Sequence, residues 1–158
     1  MRYMVFCLLV LSQIAFTTAA ADDSDTNSFW KEFRTAIVTK DKEKLIDKIN
    51  FPVLLDFGGN EPSKVSREIF IREEKSDDVS TLSFVLFNDD LSKSAKKLSK
   101  ISLVKKPKYP EWFPSKTKQS QVYKAELEGS LYNWTQLFFT EVDGKMKLFA
   151  VIAAHMDI

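Results

Sequence analysis

His155 is the only histidine of the 158-residue chain, and imidazole is the side chain best suited to proton transfer near neutral pH. We expect it near the end of the last strand, beside Tyr132 on the neighbouring strand. There it could act as the general base of a cofactor-free lyase or isomerase, with Tyr132 or Asp56 as the second group. We favour the simpler interpretation of a solvated histidine close to the C-terminus, since proximity alone does not make a base.

Asp56 is a carboxylate directly before an apolar residue and a glycine pair. Burial beside Phe57 would raise the pKa of its carboxyl and suit it to an isomerase site. The alternative, which we favour, is that Asp56 caps the turn at Gly58-Gly59, because aspartate commonly accepts hydrogen bonds from the backbone two residues further on.

Recognisable catalytic motifs are missing from the sequence. It has no glycine-rich phosphate loop, no carboxylate cluster at metal-ligand spacing and no serine in an elbow motif. A single histidine excludes mononuclear sites that need two or three imidazoles. We therefore expect no catalytic residues, no metal and no cofactor, and a protein that is not an enzyme.

The N-terminus has the pattern of a secretory signal peptide, residues 1–21. Arg2 supplies the positive charge, an apolar run follows, and Ala19 to Ala21 form the cleavage site. The apolar run is about 13 residues, whereas a spanning helix needs about 20. We expect an exported protein, periplasmic or secreted, without a transmembrane anchor. Its mature part, residues 22–158, forms a single domain.

Cleavage would remove Arg2 and Cys7, leaving 22 basic and 22 acidic residues and no cysteine. Disulfides and thiolate sites are then excluded. From Lys93 to Lys108 inclusive there are seven lysines and no acid. This run could meet anionic lipid, glycan or nucleic acid, but we favour a solvated helix face whose charge is balanced by Glu73, Glu74, Asp77 and Asp78. The balanced net charge and the lack of a binding motif argue against nucleic acid.

Helical periodicity dominates the first half of the mature chain. It predicts a helix over 27–40, begun by Asn27 or Ser28, and a second one capped by Asp41 and ended by Pro52. A third helix is predicted to start at Glu61-Pro62-Ser63. Residues 79–87 are rich in β-branched and aromatic residues and predict a strand. Residues 91–100 predict an amphipathic helix, and the prolines of 105–120 predict a loop.

Three strands are predicted at the C-terminus, over 121–128, 131–142 and 145–154. Gly129-Ser130 and Asp143-Gly144 separate them and are typical of two-residue hairpin turns of types II′ and I′. Leading helices followed by such strands predict an α+β domain, with the helices packed on a curved antiparallel sheet.

Two-residue turns would fix the register of these strands. Tyr123 would then pair with Gln136, and Ala125 with Trp134. The resulting aromatic face, covered by the helices, predicts a small-molecule pocket. A one-residue bulge would change this assignment. The candidate ligand-binding residues are Tyr123, Tyr132, Trp134, Gln136 and His155, although inward aromatic residues on a sheet are more often core.

The other face of the predicted sheet suggests an alternative role. Its apolar side chains could form a patch through which two copies pair as a homodimeric adaptor. The residues of this patch are Val122, Leu137, Phe139, Leu148 and Ala150.

The order of elements resembles the nuclear transport factor 2-like superfamily, whose cone-shaped α+β domains close a curved sheet with an N-terminal helical corner. The resemblance rests on residues 29–37, 44–52 and 142–148, with sequences FWKEFRTAI, KLIDKINFP and VDGKMKL. It is similar in particular to secreted bacterial members of no assigned activity. Residues 91–110 look like a lysine-rich insertion.

The resemblance implies a cavity that members use for isomerase or dehydratase chemistry, for ligand binding or as packed core. No catalytic residue carries over to this sequence. We expect an exported binding or accessory module that uses the cavity or the open face of its sheet, with an unknown small ligand or envelope protein as partner.

Overall fold

The computed structural model describes residues 23–58, 61–73, 80–105, 111–114, 121–129 and 134–154. Its buried apolar residues run from Trp30 to Ala153, so the part of the chain that follows the predicted leader carries this core. Among the described residues, no helix is both long and apolar enough to cross a membrane.

Five helices and six strands make up the described part of the chain. The helices are α1 Asp23–Val38, α2 Lys42–Ile46, α3 Arg67–Arg72, α4 Leu82–Phe87 and α5 Asp89–Lys97. The strands are β1 Ile49–Asp56, β2 Ser63–Val65, β3 Ser102–Leu103, β4 Val122–Glu128, β5 Trp134–Val142 and β6 Lys145–Ala154.

The strands form one sheet in the order β2-β1-β6-β5-β4-β3. The α+β class is confirmed, with helices packed on a sheet. The sheet is mixed rather than wholly antiparallel. Strand β1 runs parallel to β6, whereas all other described strand pairs of the sheet are antiparallel. This parallel pair joins strands from opposite ends of the domain, a relationship that hairpin signals do not show.

Helix α1 supplies several of the large side chains of the core, including the largest, Trp30. Trp30, Phe33 and Ile37 recur at helical spacing and are fully buried. The helix begins at Asp23, earlier than predicted, and Thr26 in its first turn is also buried. Asn27 and Ser28 are therefore inside the helix and do not cap it. The next cap is as predicted, since Asp41 accepts a hydrogen bond from the Lys44 amide at 3.1 Å.

The third predicted helix starts later than the proline suggested. Ser63 to Val65 form the edge strand β2, which pairs with β1. Helix α3 begins only after Ser66, whose hydroxyl accepts from the Ile69 amide at 3.3 Å. Proline at a first helical position is a preference, and pairing with β1 overrides it here.

Residues 82–87 are helical, so the predicted strand there is wrong. Thr81 accepts a hydrogen bond from the Phe84 amide at 3.1 Å and caps α4. Leu82, Val85 and Leu86 lie at spacings of three and four and are buried on one side of the helix. In so short an apolar run, the helical and strand periods are hard to separate.

Helix α5 also begins earlier than predicted, because Asn88 caps it and accepts from the amides of Asp90 and Leu91. The described part of the lysine-rich segment contributes buried residues to the domain core, although its lysines are exposed. Ala95 and Ile101 are buried in the main core cluster, and β3 pairs with β4.

Candidate functional site

The hairpin between β5 and β6 forms as predicted at its turn. Asp143 and Gly144 have φ angles of 51° and 73°, as a type I′ turn requires, and Val142 pairs with Lys145. The register shifts by one residue between Phe138 and Phe139. Beyond this bulge Gln136 pairs with Ile152 instead of Val151.

The hairpin between β4 and β5 does not have the predicted two-residue turn. Glu128 pairs with Trp134, so residues 129–133 connect the strands. Tyr123 consequently pairs with Phe139 and not with Gln136, a shift of three residues. An odd shift exchanges the two faces of one strand relative to the other, because side chains alternate along a strand.

The predicted pocket is therefore divided between two faces of the sheet. Tyr123 belongs to the core cluster under the helices. Trp134 and Gln136 lie on the opposite face, which we call the open face, and are partly exposed. Tyr132 and His155 lie outside the described residues.

Large side chains fill the helix-covered face. The ring of Phe139 makes edge contacts with Phe29, Trp30 and Phe33 at centroid distances of 5.4, 6.2 and 5.1 Å. The rings of Trp30, Phe33 and Phe139 are fully buried. Tyr123 is 6% exposed, and its hydroxyl lies 3.1 Å from the Gln121 side-chain oxygen. These contacts are those of packed core.

The open face carries a row of side chains across four strands. Asp56 pairs with Ile152, Ile152 with Gln136, and Gln136 with Glu126. Neighbouring strands lie about 4.8 Å apart, so the row spans about 14 Å. Trp134 lies two residues before Gln136 on the same face. A half-buried indole therefore borders a row of polar groups.

Lys124, Glu126 and Gln136 form a hydrogen-bonded polar cluster on this face. One Glu126 oxygen, Oε1, accepts from Lys124 Nζ and from Gln136 Nε2, each at 2.7 Å. The Lys124 hydrogen bond is the main cause that lowers the pKa of the Glu126 carboxyl, which stays ionised at neutral pH. The cluster can donate hydrogen bonds to a ligand and accept hydrogen bonds from it.

The other part of the open face is apolar and covered by the segment 111–114. Phe113 contacts Phe138 and Phe149 edge-on, both at 5.2 Å. Leu54, Val122 and Ala150 complete this second cluster, and the partly buried Val104, Trp112 and Ile152 border it.

The predicted dimer patch is divided in the same way as the pocket. Leu137, Phe139 and Leu148 are fully buried in the main core under the helices. Val122 and Ala150 belong to the cluster on the open face. The three-residue shift between β4 and β5 and the bulge in the β5–β6 ladder explain both corrections.

Asp56 holds a turn, as the favoured interpretation predicted. Its Oδ1 accepts from the Gly58 amide at 2.8 Å, and Gly58 has a φ of 85°. Within the described ranges, no group of three or more histidine, cysteine or acidic residues could hold a metal ion.

Sequence reasoning missed Lys124 and Glu126 as neighbours of Gln136, because the two-residue turn placed them on the other face. The alternation of polar and apolar residues in β4 was the available signal. Its apolar members Tyr123, Ala125 and Leu127 occupy the buried face, which leaves Lys124 and Glu126 outward.

No family model matches the chain, and no curated protein matches it significantly. Solved structures that it resembles include a proposed ketosteroid isomerase from Shewanella frigidimarina, at 12% identity and a TM-score of 0.41, over 82% of this chain and 94% of that one. A nuclear transport factor 2-like protein of unknown function from Shewanella oneidensis matches at 11% identity and 0.40, over 84% and 98%. A DUF4783 family protein from Bacteroides ovatus matches at 12% and 0.39, over 80% and 94%.

Identities of 11 to 12% with TM-scores near 0.4 assign no activity to this chain.

Proposed function

We propose that this chain is an exported, non-enzymatic binding or accessory module that binds its ligand or envelope partner on the open face of the sheet. The observation that carries the proposal is the division of the sheet into two faces. The helix-covered face is filled by buried rings such as Phe33 and Phe139, whereas the open face presents polar groups beside Trp134. The leader at residues 1–21 supports export.

The chemistry of the open face favours a ligand with both an apolar surface and hydrogen-bonding groups. Trp134 and Ile152 offer partly exposed apolar surface. Gln136, Glu126 and Lys124 offer an amide, a carboxylate and an ammonium group within one connected cluster. Small-molecule sites typically combine a small number of polar groups with a surrounding apolar surface.

A thermal-shift screen of residues 22–158 tests the proposal. The compounds are lipids, sterols, envelope glycans, anionic polymers and divalent ions. A ligand at a hundred times its dissociation constant adds about 2.7 kcal/mol to the free energy of unfolding. We expect a saturable rise in melting temperature that Trp134→Ala and Gln136→Ala abolish in folded protein.

Tyr123→Phe is the matched control, because it alters only a hydroxyl on the helix-covered face. It should leave the ligand shift intact. Loss of the shift in Tyr123→Phe, with retention in Trp134→Ala, would place the ligand under the helices and contradict the proposal.

A homodimer through the same face is a second candidate. Three partly buried apolar residues, Val104, Trp112 and Ile152, border the cluster around Phe113. Ile152→Glu should convert such a dimer to a folded monomer, measured by light scattering on a sizing column. A wild-type chain that is monomeric at high concentration would exclude this candidate.

The lyase or isomerase alternative stays a prediction from the sequence. It requires His155 with Asp56 or Tyr132, and His155→Ala should then abolish turnover without loss of stability. The hydrogen bond from the Gly58 amide gives Asp56 a structural role. That role supports the non-enzymatic proposal.

A further inference from the structure

We propose that the basic end of the helical layer binds the surface of an anionic lipid bilayer. The basic end consists of Lys31 and Arg34 on α1 and of Lys96, Lys97 and Lys100 at and after the C-terminus of α5. All four lysines are exposed, and Arg34 is partly exposed. This surface is distinct from the open face of the sheet, so the inference stands apart from the proposed function.

Two hydrogen bonds hold α1 against the end of α5. The Leu98 carbonyl accepts from Trp30 Nε1 and from Arg34 Nη1, both at 2.9 Å. Arg34 therefore lies at the end of α5. The residue that it contacts, Leu98, stands between Lys97 and Lys100 in the sequence. Lys31 precedes Arg34 by three residues and lies near the same side of α1.

Three acids of these two helices form ion pairs away from the basic end. Asp89 and Asp90 lie at the opposite end of α5, where they pair with Lys40 at 2.8 Å and Lys93 at 3.1 Å. Glu32 of α1 pairs with Lys48 at 2.5 Å.

Three further acids form no ion pair with the basic end, and one of them, Glu128, lies beside α5, where its amide donates to the Ser94 hydroxyl at 2.9 Å. Glu73, expected to balance the lysine run, accepts instead from the Ser83 amide at 3.1 Å near the start of α4. Asp25 is exposed on α1 but lies six residues before Lys31, about 9 Å along the helix axis. Within the described ranges the five cations of the basic end make no ion pair with an acid.

Helix stability accounts for only part of this arrangement. Lys96 and Lys97 lie in the last turn of α5, where cations interact favourably with the helix dipole. Lys100 follows the helix, and Lys31 and Arg34 belong to another helix. These three cations therefore have no explanation in the dipole of α5.

An exposed leucine three residues after the last of these lysines favours a bilayer over a soluble polyanion. Leu103 is 43% exposed and pairs with Tyr123, so it lies at the edge of the sheet on the side of the helices. It follows Lys100 by three residues. Lysines beside an exposed apolar side chain are typical of proteins that bind anionic membrane surfaces, where the charges stay at the headgroups and the apolar group enters the boundary.

The test is co-sedimentation of residues 22–158 with vesicles of phosphatidylcholine alone or with 30% phosphatidylglycerol. We expect binding to the anionic vesicles at 50 mM salt and release at 500 mM, because salt screens exposed charges. The triple variant Lys96→Glu, Lys97→Glu, Lys100→Glu should bind at least tenfold more weakly. Leu103→Ser should also weaken binding severalfold.

The matched control reverses three exposed cations elsewhere, Lys64→Glu, Arg67→Glu and Lys145→Glu, with the same change in net charge. It should reduce binding less than threefold. Equal loss in both triples would show a net-charge effect and overturn the proposal. Equal binding to neutral vesicles, no binding to anionic vesicles, or binding to a soluble sulfated glycan in place of vesicles would overturn it as well.

Discussion

The indole of Trp30 donates a hydrogen bond to the backbone carbonyl of Leu98 at 2.9 Å, across 68 residues of sequence. Leu98 caps the C-terminus of α5, where carbonyl groups lack partners within the helix. Arg34 donates to the same oxygen. One side chain in the core and one at the surface of α1 thus fix the end of α5.

Removing both donors should cost more than the sum of the single changes. Trp30→Phe and Arg34→Met each leave the Leu98 carbonyl with one donor, and each hydrogen bond contributes about 1 kcal/mol. In the double variant the carbonyl loses both donors. Urea unfolding of the four proteins measures the coupling, which we expect at about 0.5 to 1 kcal/mol beyond additivity. Strict additivity would contradict the shared-acceptor geometry.

Thr81→Ala should destabilise the domain by about 1 kcal/mol, because it removes the cap of α4. Thr81→Ser retains the hydroxyl and should stay close to the wild type. Thermal unfolding monitored by circular dichroism compares the three proteins. If Thr81→Ala is as stable as the serine variant, the hydroxyl does not act as a cap.

A pair of cysteines can test the register of β4 and β5. Glu126→Cys with Gln136→Cys places two thiols directly opposite each other on the open face, about 4.5 to 5.5 Å apart at Cβ. We expect this pair to oxidise to a disulfide.

Lys124→Cys with Thr135→Cys is the control for that pair. A two-residue turn would make these positions neighbours, whereas in the structure they lie on opposite faces. They should stay reduced, and electrophoresis after mild oxidation followed by proteolysis distinguishes the pairs. Disulfide formation only in the control pair would mean that the register is wrong.

The Glu126 carboxyl should titrate below its ordinary pKa of 4.5, chiefly because Lys124 hydrogen-bonds to it. Lys124→Met should raise this pKa toward 4.5, and Gln136→Ala should raise it less. Carbon-detected nuclear magnetic resonance of the Glu126 carboxyl measures both shifts.

The same shift fixes the direction of the pH effect on stability. A carboxyl with a lowered pKa in the folded state stabilises the fold above its unfolded pKa, and this contribution is lost as the pH falls through the folded pKa. Lys124→Met should therefore weaken the dependence of stability on pH below about 4.5. An unchanged dependence would argue against this ion pair in solution.

The sequence by itself determined several local features. The Asp41 cap and the turn at Asp143-Gly144 depend on side chains and backbone angles within a few residues. The helical stripe of α1 and the three C-terminal strands follow from strong periodicity over many residues. The α+β class then followed from the order of these elements. Asp56 as a turn cap was also predictable, since its partner is the Gly58 amide two residues away.

Tertiary structure alone decided which residues share a face. The pairing of Glu128 with Trp134 and the shift between Phe138 and Phe139 reflect packing of whole strands against the helices, and no short motif records either. The helical state of residues 82–87 was likewise fixed by burial of Leu82, Val85 and Leu86. Because side chains alternate along a strand, a three-residue change in one hairpin moved Gln136 from the predicted pocket to the open face beside Glu126.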